Sequence, residues 1–146
     1  MALNAARVGF RYAPYRYEVG REAVRAYARA TQVADERYHD DRPAAPHQPL
    51  PVPPAFIACA TGARAWTRIM DDPELGAHER LMHVGQEFDF QRPVHVGDVL
   101  VCTPTITDIK ALRGVELLTL EVGCATADGA PAVTSRSRLV FFEDTT

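Results

Sequence analysis

From residue 81 onward the chain is written in a period of two. Met82, Val84, Phe88 and Phe90 alternate with His83, Gly85, Glu87 and Asp89. Leu118, Leu120, Val122 and Cys124 line one face of a later segment, with Thr119 and Glu121 on the other. Further strands are expected from Val99 to about Ile109 and over residues 133–142, and Asp128-Gly129 marks a hairpin between neighbours. This alternation commits the C-terminal part to a half-buried antiparallel sheet. Strands of this length twist, so the sheet must curl.

A curled sheet needs something to wrap. Residues 55–70 (AFIACATGARAWTRIM) predict one helix, with Phe56, Cys59, Ala60, Ala63, Trp66 and Met70 on an apolar stripe. Its small residues allow close approach to a sheet, and Asp71-Asp72-Pro73 stop it. A shorter helix is expected over residues 21–31, after an extended stretch carrying Tyr12, Tyr15 and Tyr17. Residues 41–54 hold six prolines and form a loop or flap rather than a regular element. One long helix beside one curled sheet is an α+β architecture, expected as a single domain over residues 1–146.

Composition narrows the function classes. A net charge of −3 gives no electrostatic case for nucleic acid. No apolar run is long enough to span a bilayer, and the N-terminal residues lack a signal peptide's apolar stretch, so a cytoplasmic protein is expected. Cys59, Cys102 and Cys124 have no CxxC spacing and read as buried free thiols. The five histidines are scattered without zinc-site spacing, so neither a metal nor a cofactor is expected.

Three segments carry a family resemblance. Residues 27–40 (YARATQVADERYHD) have the outline of an alanine-rich helix running into a loop. Pro53-Pro54-Ala55-Phe56 leads into the second helix, and residues 81–100 (LMHVGQEFDFQRPVHVGDVL) contain a His, Gln-x-Phe, Arg-Pro and Gly-Asp-x-Leu series. Together they resemble the MaoC-like (R)-specific enoyl-thioester hydratases and dehydratases of the N-terminal MaoC type. They are most similar to accessory subunits of the mycobacterial 3-hydroxyacyl-acyl-carrier-protein dehydratase and to inactive halves of double-hot-dog hydratases. The resemblance implies a hot-dog fold and an acyl-thioester substrate carried on coenzyme A or acyl carrier protein.

In the family the loop reads Gly-Asp-x-Asn-Pro-x-His, and its Asp and His move a proton and a water across the double bond. Here Val33 stands at the Asp position and Tyr38 at the His position, with Asp35-Glu36 replacing Asn-Pro. Valine accepts no proton, and a phenol with a pKa near ~10 is a poor base at neutral pH. The resemblance therefore implies an accessory subunit of a heterodimer. A MaoC-like catalytic partner would supply the Asp/His pair, and this chain would supply tunnel wall through Tyr38, Phe56, Cys59, Ala60 and Gln86. Two other readings stay open. One is a self-sufficient homodimeric hydratase or thioesterase using His39 with Asp35 or Asp40; the other is a non-catalytic acyl-thioester-binding scaffold.

Alternation places Gln86 on the face of Met82, Val84, Phe88 and Phe90, with His83 opposite. A buried amide must be hydrogen-bonded or cost roughly 1–3 kcal/mol. Gln86 is thus expected either to bond the helix or proline loop, or to make a polar contact at the dimer seam or tunnel. Arg136 and Arg138 are expected to point outward on the last strand.

Overall fold

The computed structural model describes residues 2–39 and 48–142. Strand β1 (Tyr15–Glu18) leads into helix α1 (Arg21–Ala30). A 3-10 turn at Pro54–Phe56 runs into helices α2 (Ile57–Thr61) and α3 (Ala63–Met70). Strands β2 (Leu81–Phe90), β3 (Val99–Leu112), β4 (Val115–Thr126) and β5 (Pro131–Phe142) follow. All pairings are antiparallel, in the order β1-β3-β4-β5-β2. The helices lie on one face of this sheet, the hot-dog arrangement expected.

The inner face is the core. Leu100, Cys102 and Ile106 of β3, Leu118, Leu120 and Val122 of β4, and Val133, Leu139 and Phe141 of β5 are all buried there. Phe56, Ile57, Ala60, Ala65 and Ile69 meet them from the helices, each fully buried. Each large apolar side chain taken from water contributes about 1.5–3 kcal/mol. Phe56 also touches two rings, Tyr27 edge-on at 5.6 Å and Tyr17 at 6.4 Å. The N-terminal residues fasten across the open end, where the Glu116 carboxylate accepts from the Leu3 N–H at 2.7 Å and Asp72 pairs with Arg7 at 2.6 Å.

Two features correct the expectation from sequence. The helix is not continuous from 55 to 70 but breaks at Gly62, whose φ −81° and ψ −99° are not helical. A Cβ there would sit 2.7 Å from the Ala58 carbonyl oxygen, so only glycine fits without a shift. The break turns the stripe: Phe56 and Ala60 are buried, while Cys59 and Ala63 are exposed.

The second correction is in β2. Its ladder with β5 slips between His83 and Gly85. A one-residue slip exchanges faces for everything on one side of it. His83 therefore opposes the inward Leu139, and Gln86 opposes Ser137, so both lie on the inner face. Met82 opposes Val140 on the outer face and is 55% exposed; Val84, at the slip itself, is 52% exposed. His83 packs edge-on against Trp66 at 4.9 Å, and its Nε2–H donates to the Gly85 carbonyl.

The outer face of the sheet carries an ionic belt. Arg136 bridges Glu87 at 3.1 Å and Glu121 at 2.9 Å, and Arg138 also pairs with Glu87. Among the described residues, no helix is long and apolar enough to cross a membrane.

Candidate functional site

The segment in which the resemblance expects a catalytic pair follows α1 directly. The helix closes with the Thr31 N–H and hydroxyl both donating to the Tyr27 carbonyl, at 2.9 and 2.7 Å. Gln32 then takes φ +55°, the left-handed turn that ends many helices. The Val33 N–H returns to the Ala28 carbonyl at 2.9 Å, and the Val33 side chain packs half-buried against the core. The position that would carry a carboxylate is thus an apolar anchor.

The residues after it are tied to one another. Asp35 caps the 3-10 turn Glu36–Tyr38, accepting from the Arg37 N–H at 3.0 Å. The Arg37 guanidinium grips the same carboxylate through two nitrogens, at 3.0 and 2.7 Å. These hydrogen bonds hold the Asp35 pKa below its ordinary value. Tyr38 is 8% exposed and donates its hydroxyl to the Pro51 carbonyl at 2.6 Å. Burial raises its pKa further, away from any base function near neutrality. His39 Nε2 lies 2.7 Å from the Val33 carbonyl oxygen. A carbonyl only accepts, so Nε2 carries the proton and the ring is a loop clasp. Asp40 lies outside the described residues.

Chemically this loop offers an ion-paired carboxylate, a buried phenol and a donating imidazole. A general base needs a free lone pair within reach of the proton it takes and a pKa near the working pH. Neither Asp35 nor Tyr38 has both. Among the described residues no group of three or more His, Cys, Asp or Glu side chains could hold a metal ion.

The expected wall residues divide in two. Phe56 and Ala60 are fully buried, and the Ala60 carbonyl accepts the Tyr15 hydroxyl at 2.7 Å on the β1 side. Cys59 is exposed, which corrects the expectation that all three thiols are buried. Gln86 belongs to a directional chain. The Ser137 hydroxyl donates to Gln86 Oε1 at 2.8 Å, and Gln86 Nε2 donates to Ser135 Oγ at 2.8 Å and to the Glu87 carbonyl at 3.2 Å. Thr61 Oγ1 lies 2.9 Å from both Ser135 Oγ and the Ile57 carbonyl. Thr61 has one proton and the carbonyl can only accept, so Ser135 donates to Thr61. The chain thus links edge strand β2 through β5 to the helix at its break, and both Gln86 amide hydrogens are engaged. Ser135 and Ser137, polar at inward positions between Val133 and Leu139, were the available sequence signal for it.

A cleft of about 380 Å³ opens between the proline segment and the end of β2. It is lined by Pro51, Val52, Pro54, Phe90, Arg92 and Val94 among others. The Tyr38 hydroxyl is bonded to the carbonyl of Pro51, so this cleft flanks the loop after α1. A second, more polar depression lies on the outer sheet face over Gly123 and Thr105, away from that loop.

Comparison with known proteins agrees with this fold. The family model described as "FAS1-like, dehydratase domain region" matches residues 6–135. A UPF0336 protein of Thermobifida fusca is 40% identical over 144 residues, covering 96% of this chain and 94% of that protein. A solved MaoC-like dehydratase is 29% identical with a TM-score of 0.78; the match covers 94% of this chain and 42% of that one. The HadBC (3R-hydroxyacyl-ACP dehydratase) complex of Mycobacterium tuberculosis shares the fold at a TM-score of 0.78 and 23% identity, covering 92% of this chain and 96% of that one. The chain thus belongs to the FAS1-like dehydratase-domain family of MaoC-like hot-dog proteins.

Proposed function

We propose that this chain is the accessory subunit of a cytoplasmic, heteromeric (R)-3-hydroxyacyl-thioester dehydratase or enoyl-thioester hydratase. The observation that carries the reading is the loop after α1. Val33 is a core anchor, Tyr38 is bonded to Pro51, and Asp35 is locked to Arg37. A MaoC-like partner subunit supplies the Asp/His pair. In the dehydration direction one partner group takes the proton from Cα, and the other protonates the C3 hydroxyl as it leaves as water. A backbone N–H at a helix start polarises the thioester carbonyl as enolate charge develops.

The partner pairs along β2. Among the described residues this strand bonds only to β5, leaving its other edge open, and exposed strand edges are normally covered. This chain then contributes wall to the acyl tunnel, with Cys59 at its surface and Tyr38, Phe56, Ala60 and Gln86 supporting it. The substrate is an acyl thioester of coenzyme A or acyl carrier protein. The HadBC complex, itself assembled from two different subunits, supports this assembly.

The test is reconstitution with a MaoC-like subunit that keeps the intact pair. The complex should hydrate crotonyl-type thioesters. Asp→Asn in the partner's pair should abolish that activity, and His39→Ala in this chain should leave it within about twofold. Activity that survives the partner change and is lost in His39→Ala would overturn the assignment.

A further inference from the structure

A different region carries an inference independent of the dehydratase reading. On the inner face of the sheet the β3–β4 ladder sets Cys102 directly opposite Cys124. Their sulfurs lie 3.4 Å apart, with Cys102 fully buried and Cys124 3% exposed. The ladder is in register here, its irregularity falling between Ile106 and Asp108. Residues opposed across antiparallel strands have Cα atoms roughly 4.5–5.5 Å apart. A disulfide joins Cα atoms roughly 4.4–6.8 Å apart, so this backbone already has the spacing required. The third thiol, Cys59, stands exposed on α2 and is not opposed to either.

The cover over this pair is thin on one side. Tyr15 is the ladder partner of Cys102 on β1. That strand is four residues long, sits at the sheet edge and, among the described residues, pairs with no strand but β3. Short edge strands open locally more readily than central ones. The surroundings exclude bulky reagents, whereas a small neutral oxidant can reach the thiols through such an opening.

We propose that Cys102 and Cys124 form an oxidisable dithiol site that hydrogen peroxide converts into a cross-strand disulfide. Cys102 reacts first, because the Cys124 thiol hydrogen-bonds toward its sulfur and favours the thiolate. The Cys102 thiolate attacks one peroxide oxygen and the O–O bond breaks. The released hydroxide takes up a proton as water, leaving Cys102 as a sulfenic acid. The Cys124 sulfur then attacks Cys102, the S–O bond breaks, and a second water departs with the Cys124 proton. Two thiols lose two electrons and one peroxide gains them. The bond ties β3 to β4 beneath Tyr15, whose hydroxyl holds the central helix at Ala60.

The experiment uses the full chain carrying Cys59→Ser. The protein is treated with hydrogen peroxide, quenched with catalase, unfolded in iodoacetamide and weighed intact. The expected product is lighter by two hydrogens and takes up no alkyl group. Its digest should contain a linked peptide joining residues 102 and 124, and dithiothreitol should restore both alkylation sites. Two alkylated cysteines, at a peroxide dose that fully oxidises free glutathione, would overturn the proposal. So would two added oxygens on one sulfur with no linked peptide. If Cys59→Ser fails to fold, the linked peptide is sought in the native chain, where its presence or absence decides in the same way. In Cys124→Ser the sulfenic acid has no resolving thiol. Dimedone added in denaturant after the peroxide is quenched should label Cys102 there, and a failure to label it under the same dose would contradict the proposed order.

Discussion

The loop after α1 and the edge strand β2 treat their hydrogen-bonding groups in opposite ways. In the loop the functional groups are turned on one another: Asp35 on Arg37, His39 on Val33 and Tyr38 on Pro51. In β2 one side of the ladder runs along β5 with a single slip, and the other has no strand among the described residues. Met82 and Val84 stand 55% and 52% exposed at its start. Closed groups stabilise a fold but are not free to move protons. Open groups and exposed apolar side chains are what an assembling subunit presents. The pair of regions sets a loop closed on itself against a strand edge left open among the described residues.

The largest expected effect is on mass. If β2 is an assembly edge, sedimentation at micromolar concentration should give a dimer or larger, with a MaoC-like partner displacing the self-association. A stable monomer in both samples would break the contrast from the β2 side.

Two neighbouring helix substitutions sharpen it next. Ala60 is fully buried and Cys59 is exposed. Overpacking a filled core costs about 1–3 kcal/mol, which lowers Tm by roughly 2–12 °C at this size. Ala60→Phe should show that loss. Cys59→Phe should change stability by about 0.5 kcal/mol or less, as exposed positions do. In the reconstituted complex, Cys59→Phe should lower kcat/KM for long acyl thioesters well beyond its effect on four-carbon ones. Equal loss on long and short substrates in a folded complex would remove Cys59 from the tunnel wall.

Within the loop, Tyr38→Phe deletes one hydrogen bond and leaves the ring. A net loss of about 0.5–1.5 kcal/mol is expected in thermal or urea unfolding. A catalytic Tyr38 would instead abolish reconstituted activity in a fully folded variant.

The smallest effect is electrostatic. Arg37 lowers the Asp35 pKa in the folded chain, so the folded state binds a proton there less readily than the unfolded state. The pair's stabilisation is complete above the ordinary aspartate value near ~3.9, and is lost as pH falls through the lower folded value. The difference in Tm between the native chain and Asp35→Asn should therefore be present at neutral pH and vanish on strong acidification. A difference that grows toward acid would contradict the sign. Exposed pairs of this kind are weak and screened by salt, so the effect should also shrink at high ionic strength.

Much of the fold was legible because it depends on periodicity. Leu118, Leu120, Val122 and Cys124 do face inward, and the stretch rich in prolines does lead into the helix. The residue types at Val33 and Tyr38 were legible too, because they differ in kind from the Asp and His of the motif that the segment resembles. Two features were not. The slip in β2 leaves no mark on a period-two pattern, since Met82 and Val84 read as core whether or not a bulge follows them. It became visible only against β5, where Gln86 meets Ser137. The helix break at Gly62 reads in sequence as an ordinary glycine among small residues, because what excludes a side chain there, the Ala58 carbonyl oxygen, comes close only in the folded backbone. Gln86 does lie on the inner face with Phe88 and Phe90, as alternation predicts, and its hydrogen-bonded chain ends at Thr61 beside the break.

The decisive measurement is turnover by the purified chain alone, with crotonyl-type enoyl thioesters and with (R)-3-hydroxyacyl thioesters of coenzyme A and acyl carrier protein. A loop built on Val33, Tyr38 and an ion-paired Asp35 should give no hydration or dehydration above background. Turnover on the order of 1 per second, within the ordinary enzyme range, and abolished by His39→Ala in a folded variant, would contradict the accessory assignment and make this loop an active site.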